Sequence, residues 1–331
     1  MRFKRFSAVL VFSLLSGVGL IQYLSYKDSH PSTEDAYVQA HIVNIASRVS
    51  GPVIKLHVSE NDYVNAGDVL FEIDPSVFDA IVQGASANYE LATQSTGASD
   101  AEVGVAKSTL EERKVSLSRA KRALERATSL AQTKLISEAE FDDATATYAE
   151  AKASVASANA DLRRAESESG AKGEDNARLR EASAQRTAAE LDLAFTKVIA
   201  PVSGWITNLS LREGAMVIAR RSQFSIVEDS EWWVEANFKE TDLKSMRPGQ
   251  QTTIEVDMYP DLTFQGHVES LGAGSGAVFS LLPPENATGN WVKVTQRFPV
   301  RISIESRHDD LDEIRPLRVG ASATVTVDVR E

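Results

Sequence analysis

The chain of 331 residues contains no cysteine. Disulfide bonds, a thiolate nucleophile, a cysteine-based zinc or iron–sulfur site and a lipidated N-terminal cysteine are therefore excluded. The absence does not identify the compartment, because a protein outside the cytoplasm can fold without disulfides. Histidine is also scarce, and positions 30, 41, 57, 267 and 308 lack the spacing of metal ligands. We therefore expect neither a metal site nor a cofactor.

Basic and aromatic side chains are in short supply as well. Lysine and arginine number 35 against 47 acidic residues, which gives a formal net charge of −12, and no Lys/Arg-rich run follows residue 5. Because a nucleic-acid surface needs a basic face to neutralise phosphates, we expect no nucleic-acid partner. Aromatic residues make up only 7% of the chain, which agrees with its alanine-rich, charged middle section.

Only one long apolar run is present, at the N-terminus. Residues 1–5 include three basic side chains, and residues 6–25 carry no charge. Such a segment can cross the hydrocarbon core as a helix, and the positive-inside rule places the tail 1–5 in the cytoplasm and the bulk of the chain outside it. A cleaved signal peptide is the alternative, but its apolar core is unusually long and no A-x-A-like cleavage site is evident.

A seven-residue apolar repeat runs through residues 75–195 on two arms. The a and d positions are Val103, Leu110, Leu117, Leu124, Ala106, Arg113, Ala120 and Ala127 on the first arm, and Phe141, Tyr148, Val155, Leu162, Ala144, Ala151, Ala158 and Ala165 on the second. This repeat predicts an antiparallel α-helical coiled-coil hairpin, and only Arg113 breaks it. The segment Ser137-Glu-Ala-Glu140 is a capping box for the returning helix, which places the tip at about 130–137.

Each arm also contains a glycine-rich stretch, around Gly97 on the first arm and around Gly170 on the second. The two stretches lie at similar distances from the tip. Glycine in a helix interior costs about 1 kcal/mol relative to alanine. The sequence therefore predicts a loosened or bent level where the two stretches face each other.

Two β-rich segments, 36–74 and 196–229, are copies of each other on either side of the hairpin. Val49-Ser-Gly51 aligns with Val202-Ser-Gly204, and at the same offset Asn61 aligns with Gly214. Asparagine and glycine are the residue types that tolerate positive φ, so both copies are predicted to turn there in the same way. A half-sheet cannot bury its apolar face alone, and we expect the two copies to close one split β domain. The signature residues of this domain are Gly51, Asn61, Gly204 and Gly214.

The C-terminal residues 230–331 are again β-rich. Segments 254–258, 291–294, 300–304 and 323–329 are predicted strands, and several short strands at this spacing indicate a small barrel. Between them lies a long segment, 272–290, whose glycines and Pro283-Pro284 disfavour a helix. Loops of this length are commonly functional or disordered, and the sequence leaves its role open.

This order of parts resembles the HlyD/EmrA membrane fusion proteins, an elongated multidomain α+β family. Three motifs carry the resemblance: the duplicated V-S-G-x-V/I signature, the spacing R-x3-L-x6-S at the tip, and residues 279–297 with the sequence FSLLPPENATGNWVKVTQR. The family's domains are a transmembrane helix, a split lipoyl-like β domain, a helical hairpin and a C-terminal β-barrel. In the family the tip motif docks a TolC-like outer-membrane channel, and its positions here are Arg126, Leu130 and Ser137.

The resemblance implies a non-enzymatic adaptor anchored once in the inner membrane of a Gram-negative bacterium, with most of the chain in the periplasm. It implies three partners: an inner-membrane transporter, a TolC-like channel, and further copies of this chain in a ring of three or six. The motifs are EmrA-like, which favours a transporter of the major facilitator type and export of drugs or other small toxic compounds.

Two other classes remain open. One is a membrane-tethered coiled-coil interaction protein without a transport role. The other is a carrier of lipoate or biotin, which requires an exposed lysine on the turn between the β halves. The hairpin occupies that position, and neither Asp74-Pro75 nor Ala200-Pro201 supplies a lysine.

Overall fold

The computed structural model describes residues 26–276, 278, 294–305 and 317–330. Over these ranges, the search for a helix with the length and apolar character of a membrane span found none. The expected transmembrane segment 6–25 lies outside the described residues, and so does most of the segment 272–290.

The described strands and helices form three groups along the chain: four strands, three α-helices and eight further strands. In chain order they are β1 (Ser32–Ala46), β2 (Gly51–Leu56), β3 (Tyr63–Val64), β4 (Val69–Ile73), α1 (Ser76–Gln132), α2 (Glu138–Ser169), α3 (Ala177–Ala194), β5 (Lys197–Ile199), β6 (Gly204–Thr207), β7 (Met216–Val217), β8 (Ser222–Lys239), β9 (Gln251–Val256), β10 (Thr263–Leu271), β11 (Arg297–Ile304) and β12 (Ser322–Val327).

The C-terminal barrel is closed by six antiparallel strands. They pair in the order β1, β12, β9, β10, β11 and β8, and β8 pairs in turn with β1. Alternate residues of β8, among them Val234, Ala236 and Phe238, are fully buried inside, while their neighbours face outward. Closure leaves no strand edge unpaired, which is how small barrels avoid edge-to-edge association. The barrel predicted from the sequence is confirmed.

Three of the predicted barrel strands overlap β9, β11 and β12, and residues 291–293 of the fourth lie outside the described residues. Strand β10 was missed. It contains Gly266, and glycine weakens the strand pattern in a sequence. The structure explains that glycine, since a Cβ at Gly266 would lie 2.0 Å from the carbonyl oxygen of Ser303 on β11.

Strands β1 and β8 are shared by two domains. The first part of β1 belongs to the barrel, with Val38 opposite Val234, and the second part pairs with the start of β8, with Ile45 opposite Phe224. The register shifts between Ala40 and Ile42, where the two domains meet. Residues 36–40, assigned above to the first β half, therefore pair within the barrel. An alternating pattern shows which face of a strand is buried but not which strand it pairs with.

The two β segments that flank the hairpin pair with each other. Strand β2 pairs with β7, β3 with β6, and β4 with β5. The aligned residues Glu60 and Glu213 make reciprocal contacts: Glu60 accepts hydrogen bonds from the backbone of the second segment, and Glu213 accepts one from Leu56 in the first. Asn61 has a φ of 67° and Gly214 a φ of 83°. The two segments thus bury one core together.

The long helix α1 packs against α2 and α3 to form the hairpin. Its 57 residues span about 85 Å at 1.5 Å per residue. Every predicted a and d position is buried or half-buried except Arg113, which is exposed. The predicted helical hairpin is therefore confirmed, including the single interruption of its apolar pattern.

The expected weak level is present on only one arm. Helix α1 continues without a break through Gly97, whereas the returning arm stops at Ser169, turns at Gly170 with a φ of 74°, and resumes as α3 after Asn176. The buried Asn176 side chain donates to the carbonyls of Ser169 and Ala171 and caps α3. The Ser169 hydroxyl donates to Asp100 of α1 at 2.7 Å.

The prediction of a loosened first arm was therefore wrong. A glycine penalty of about 1 kcal/mol is small beside the favourable interactions of a long packed helix.

Candidate docking site at the hairpin tip

The chain reverses between the end of α1 and the start of α2. After Gln132 the backbone N–H of Lys134 donates to the carbonyl of Ala131, and that of Leu135 donates to the carbonyl of Leu130. Lys134 has a φ of 54°, in the left-handed region that ends many helices. These bonds satisfy the last carbonyls of α1 within a few residues, so the turn at the tip is short.

Ser137 begins the returning helix. Its hydroxyl oxygen accepts a hydrogen bond from the backbone N–H of Glu140, and the Glu140 carboxylate accepts one from the backbone N–H of Ser137 at 3.0 Å. The capping box predicted from the sequence is confirmed. The Ser137 hydroxyl also donates to this carboxylate, at 3.1 Å. The bond from the Ser137 N–H and, to a smaller extent, the bond from its hydroxyl lower the pKa of the Glu140 carboxyl from its ordinary value.

The tip exposes two leucine side chains. Leu130, one of the proposed docking residues, is 41% exposed, and Leu135 in the turn is 72% exposed. Leu135 was missed by the sequence reasoning. Its signal was a large apolar residue between the end of one helix and the N-cap of the next, where neither arm can cover it. The apolar surface at the tip is thus larger than the three-residue motif indicates.

Arg126 lies one turn before Leu130 on α1 and lines a shallow groove on the side of the hairpin. Arg113 and Arg119 line the same groove, with Glu150 across it on α2. Among the described residues, none of these three arginines forms an ion pair. The exposure of Arg113, the residue that breaks the heptad pattern, is thereby explained, because it belongs to a basic strip that leads to the tip.

The four signature glycine and asparagine positions lie at the other end of the hairpin, in the split β domain. A Cβ at Gly51 would lie 2.6 Å from Ile73, and one at Gly204 would lie 2.0 Å from the carbonyl oxygen of Val227. Both glycines therefore permit a close approach within the β domain. The structure brings Arg126, Leu130 and Ser137 to one end of the molecule and keeps these β-domain positions apart from them.

Each of the four histidines that the structure describes lies beside a carboxylate. The nitrogen-to-oxygen distances are 3.7 Å for His30–Asp328, 3.5 Å for His41–Glu231, 2.8 Å for His57–Glu72 and 2.5 Å for His267–Glu305. Within the described ranges, no group of three or more acidic or histidine side chains is placed to hold a metal ion.

Comparison with known proteins identifies the class. The model of the RND MFP barrel-sandwich hybrid domain matches residues 41–229, and that of the AAEA-like beta-barrel domain matches residues 231–328. The first match alone covers more than half of the chain. The chain belongs to the membrane fusion protein family, and its curated relatives include EmrA proteins.

Similar proteins extend over nearly the whole chain. The colistin resistance protein EmrA of Acinetobacter baumannii is 35% identical over 98% of this chain and 93% of its own length. The multidrug export protein EmrA of Escherichia coli K12 is 33% identical over 89% of this chain and 75% of its own length. A solved structure of the periplasmic adaptor protein EmrA aligns with 91% of this chain and 99% of its own, at 22% identity and a TM-score of 0.45.

The cap at the tip can be tested apart from docking. Ser137→Ala removes the hydroxyl that accepts from the Glu140 N–H, and we expect the first turn of α2 to lose about 1 kcal/mol. Ser137→Asn is the matched variant, since asparagine caps as well as serine does. Hydrogen exchange of residues 138–142, measured by mass spectrometry, should rise in the alanine variant and stay unchanged in the asparagine variant. Equal exchange in both variants would show that the hydroxyl does not hold this turn.

Proposed function

We propose that the protein is the adaptor of a tripartite export system, linking an inner-membrane transporter to a TolC-like outer-membrane channel. Its cargo would be drugs or other small toxic compounds. The observation that carries the proposal is the tip of the hairpin. It presents an exposed leucine and an arginine that no described residue pairs with, at the end of a rod of about 85 Å. Such a surface has no use within the chain, and it suits docking of another helical tip.

The remaining parts have places in this arrangement. Residues 6–25 would anchor the chain once in the inner membrane, with the N-terminus in the cytoplasm and the bulk in the periplasm. The split β domain, which we interpret as lipoyl-like, and the barrel would lie near the transporter. A major facilitator partner is favoured because the sequence motifs are EmrA-like. Three or six copies would form the conduit, and the work would be mechanical rather than catalytic.

Docking would use two kinds of contact. The Arg126 guanidinium offers a planar fork of donors to carboxylates or helix-end carbonyls of the channel, and it is free to do so because no ion pair holds it among the described residues. Leu130, with Leu135 beside it, supplies apolar surface that becomes buried on contact. Ser137 fixes the direction in which the returning helix leaves the tip.

Reversal of charge at Arg126 tests the proposal. Arg126→Asp should weaken docking at least about tenfold, because an interface arginine that pairs with the partner is a typical hot spot. We expect lower yields of photo-cross-links from the tip to the channel and greater drug accumulation in cells. Arg163→Asp is the matched control, since Arg163 is an exposed arginine of α2 well below the tip whose guanidinium contacts only Asn159.

Two results would refute the docking role. One is normal efflux with unchanged cross-linking in Arg126→Asp, and the other is an equal loss in both variants. Deletion of the chain without any drug-sensitivity phenotype would favour the tethered interaction protein instead. An intact mass that includes a lysine adduct would favour the carrier.

A further inference from the structure

The lower half of α1 exposes an apolar face that none of the described residues covers. It lies outside the seam with α2 and α3, and at its upper end Val105 lines a shallow groove with Asp161 and Arg164 of α2. We call it the base face. Its residues are Val77, Ala80, Gly84, Leu91, Ala98 and Val105. Five of them recur every seven residues, and the three largest, Val77, Leu91 and Val105, are 61–68% exposed. The base face therefore has the period of a coiled-coil seam but no partner helix.

Charge separates this face from the rest of α1. Between residues 77 and 105, the exposed positions on and beside the base face carry two charged residues, Glu90 and Glu102. Nearer the tip the corresponding positions of α1 carry Glu111, Glu112, Arg119, Arg122, Glu125 and Arg126. A solvated helix face is normally polar. The lower half thus has the composition of a buried surface.

Three glycines give a second, independent sign. Gly84, Gly97 and Gly104 lie on or beside the base face, and a Cβ at any of them would meet no atom within 4 Å. Each glycine costs about 1 kcal/mol in a helix interior, and no contact within this chain requires one. Glycine is useful where another backbone approaches closely. The open space at these three positions leaves room for the backbone of a neighbouring molecule.

The opposite side of the hairpin offers a matching groove between α1 and α3. Its apolar part is formed by Tyr89, Leu179, Ala184, Ala188 and Leu191, and its charged lining residues are Arg180 and, nearer the tip, Glu174. Leu191 is half-exposed. A helix with small residues could settle into this groove.

Heights along the hairpin show that the two surfaces fit. The Arg186 guanidinium lies 5.4 Å from the ring of Tyr89, so these residues stand at the same height on antiparallel helices. Five residues toward the base, Gly84 is level with Leu191, and two residues toward the tip, Leu91 is level with Ala184. Neighbours in a closed ring stand at equal height. Each large side chain would then face a small one.

The charges are complementary as well. By the same reckoning, Arg178 and Arg180 on α3 stand at heights between those of Glu90 and Glu102 on α1. All four side chains are exposed. Opposite charges at similar heights favour association of the two surfaces and set the register between them.

We propose that the base face of one copy of this chain packs against the groove between α1 and α3 of the next copy. The contact joins two different surfaces, so it repeats around a ring rather than closing a pair. This proposal rests on the assembly of several copies in the proposed function, and it identifies the two surfaces through which neighbouring copies meet.

The absence of cysteine makes the test direct. Full-length Leu91→Cys and Ala184→Cys variants, tagged differently, are co-expressed, and the membranes are treated with a mild oxidant or a short bis-maleimide. We expect a cross-linked dimer that contains both tags, at least tenfold more abundant than the product of either variant alone. Thr93→Cys, on the same turn as Leu91 but on another side of α1, replaces Leu91→Cys in the control and should give no such product.

Light scattering of the purified full chain separates the possible failures. A dimer formed by Leu91→Cys alone means that two base faces meet, which overturns the proposed contact. An oligomer without the mixed cross-link overturns this contact and leaves the adaptor assembly intact. A monomer overturns both the contact and the ring. None of these three results depends on docking at the tip, which the Arg126 experiment measures separately.

Discussion

Gly204→Ala is expected to destabilise the split β domain by about 3 kcal/mol, because a side chain here has no room. The added Cβ would lie 2.0 Å from the carbonyl oxygen of Val227, on the strand that pairs with β6. That oxygen belongs to the backbone of β8 and cannot turn aside as a flexible side chain could. Relief requires β6 and β8 to separate, which breaks the pairing between them.

Hydrogen exchange of β6 and β8 measures this loss, and Gly214→Ala is the matched control. Gly214 has a φ of 83°, but a Cβ there would meet no atom within 4 Å. Its replacement should cost only the backbone strain of about 1–2 kcal/mol. If the two alanine variants lose equal protection, the close approach at Gly204 is not what requires glycine.

Phe71→Ala should cost about 3–5 kcal/mol, the range for removing a buried phenylalanine. Phe71 comes from the first β segment and is fully buried. Its ring meets the ring of Phe224 in the second segment edge-on, with 6.1 Å between the ring centroids. Because the two segments share this core, both should lose protection together. Protection of 51–73 and of 197–227 is compared by hydrogen exchange.

Phe238→Ala provides the comparison for that experiment. Phe238 is also fully buried, but it lies in the core of the barrel. Removal of the Phe238 ring should lower the protection from exchange of β9 to β12 more than that of the split domain. If Phe71→Ala lowers the protection from exchange only in residues 51–73, the two halves do not share one core.

The hairpin was largely predictable because its signals are local. A heptad repeat fixes which side of each helix is buried, and the capping box at Ser137 and Glu140 specifies the start of α2 within one turn. The proposed docking residues could be located for the same reason. Their place at the tip follows from helix length and the position of the reversal.

What escaped prediction depends on contacts between distant parts. The strand β1 passes from one domain into another, and no feature of its alternating pattern records a change of partner. Gly97 and Gly170 look alike in the sequence, yet only the second ends a helix. The difference lies in Asn176, whose side chain closes the break, and in the bond from Ser169 to Asp100. The bond from Ser169 to Asp100 joins residues that are 69 positions apart, so no local pattern records it.

The two strands shared by the barrel and the split domain make a particular kind of joint. Their backbones run through it without interruption, so the domains cannot slide apart along the strands. The register shift at Ala40 and Ile42, however, removes regular ladder bonds at the crossing point, and a two-stranded ribbon bends readily across its flat face. We therefore expect any change in the angle between the barrel and the hairpin to occur at this crossing. Such a change would alter the direction in which the tip lies more than its distance from the barrel.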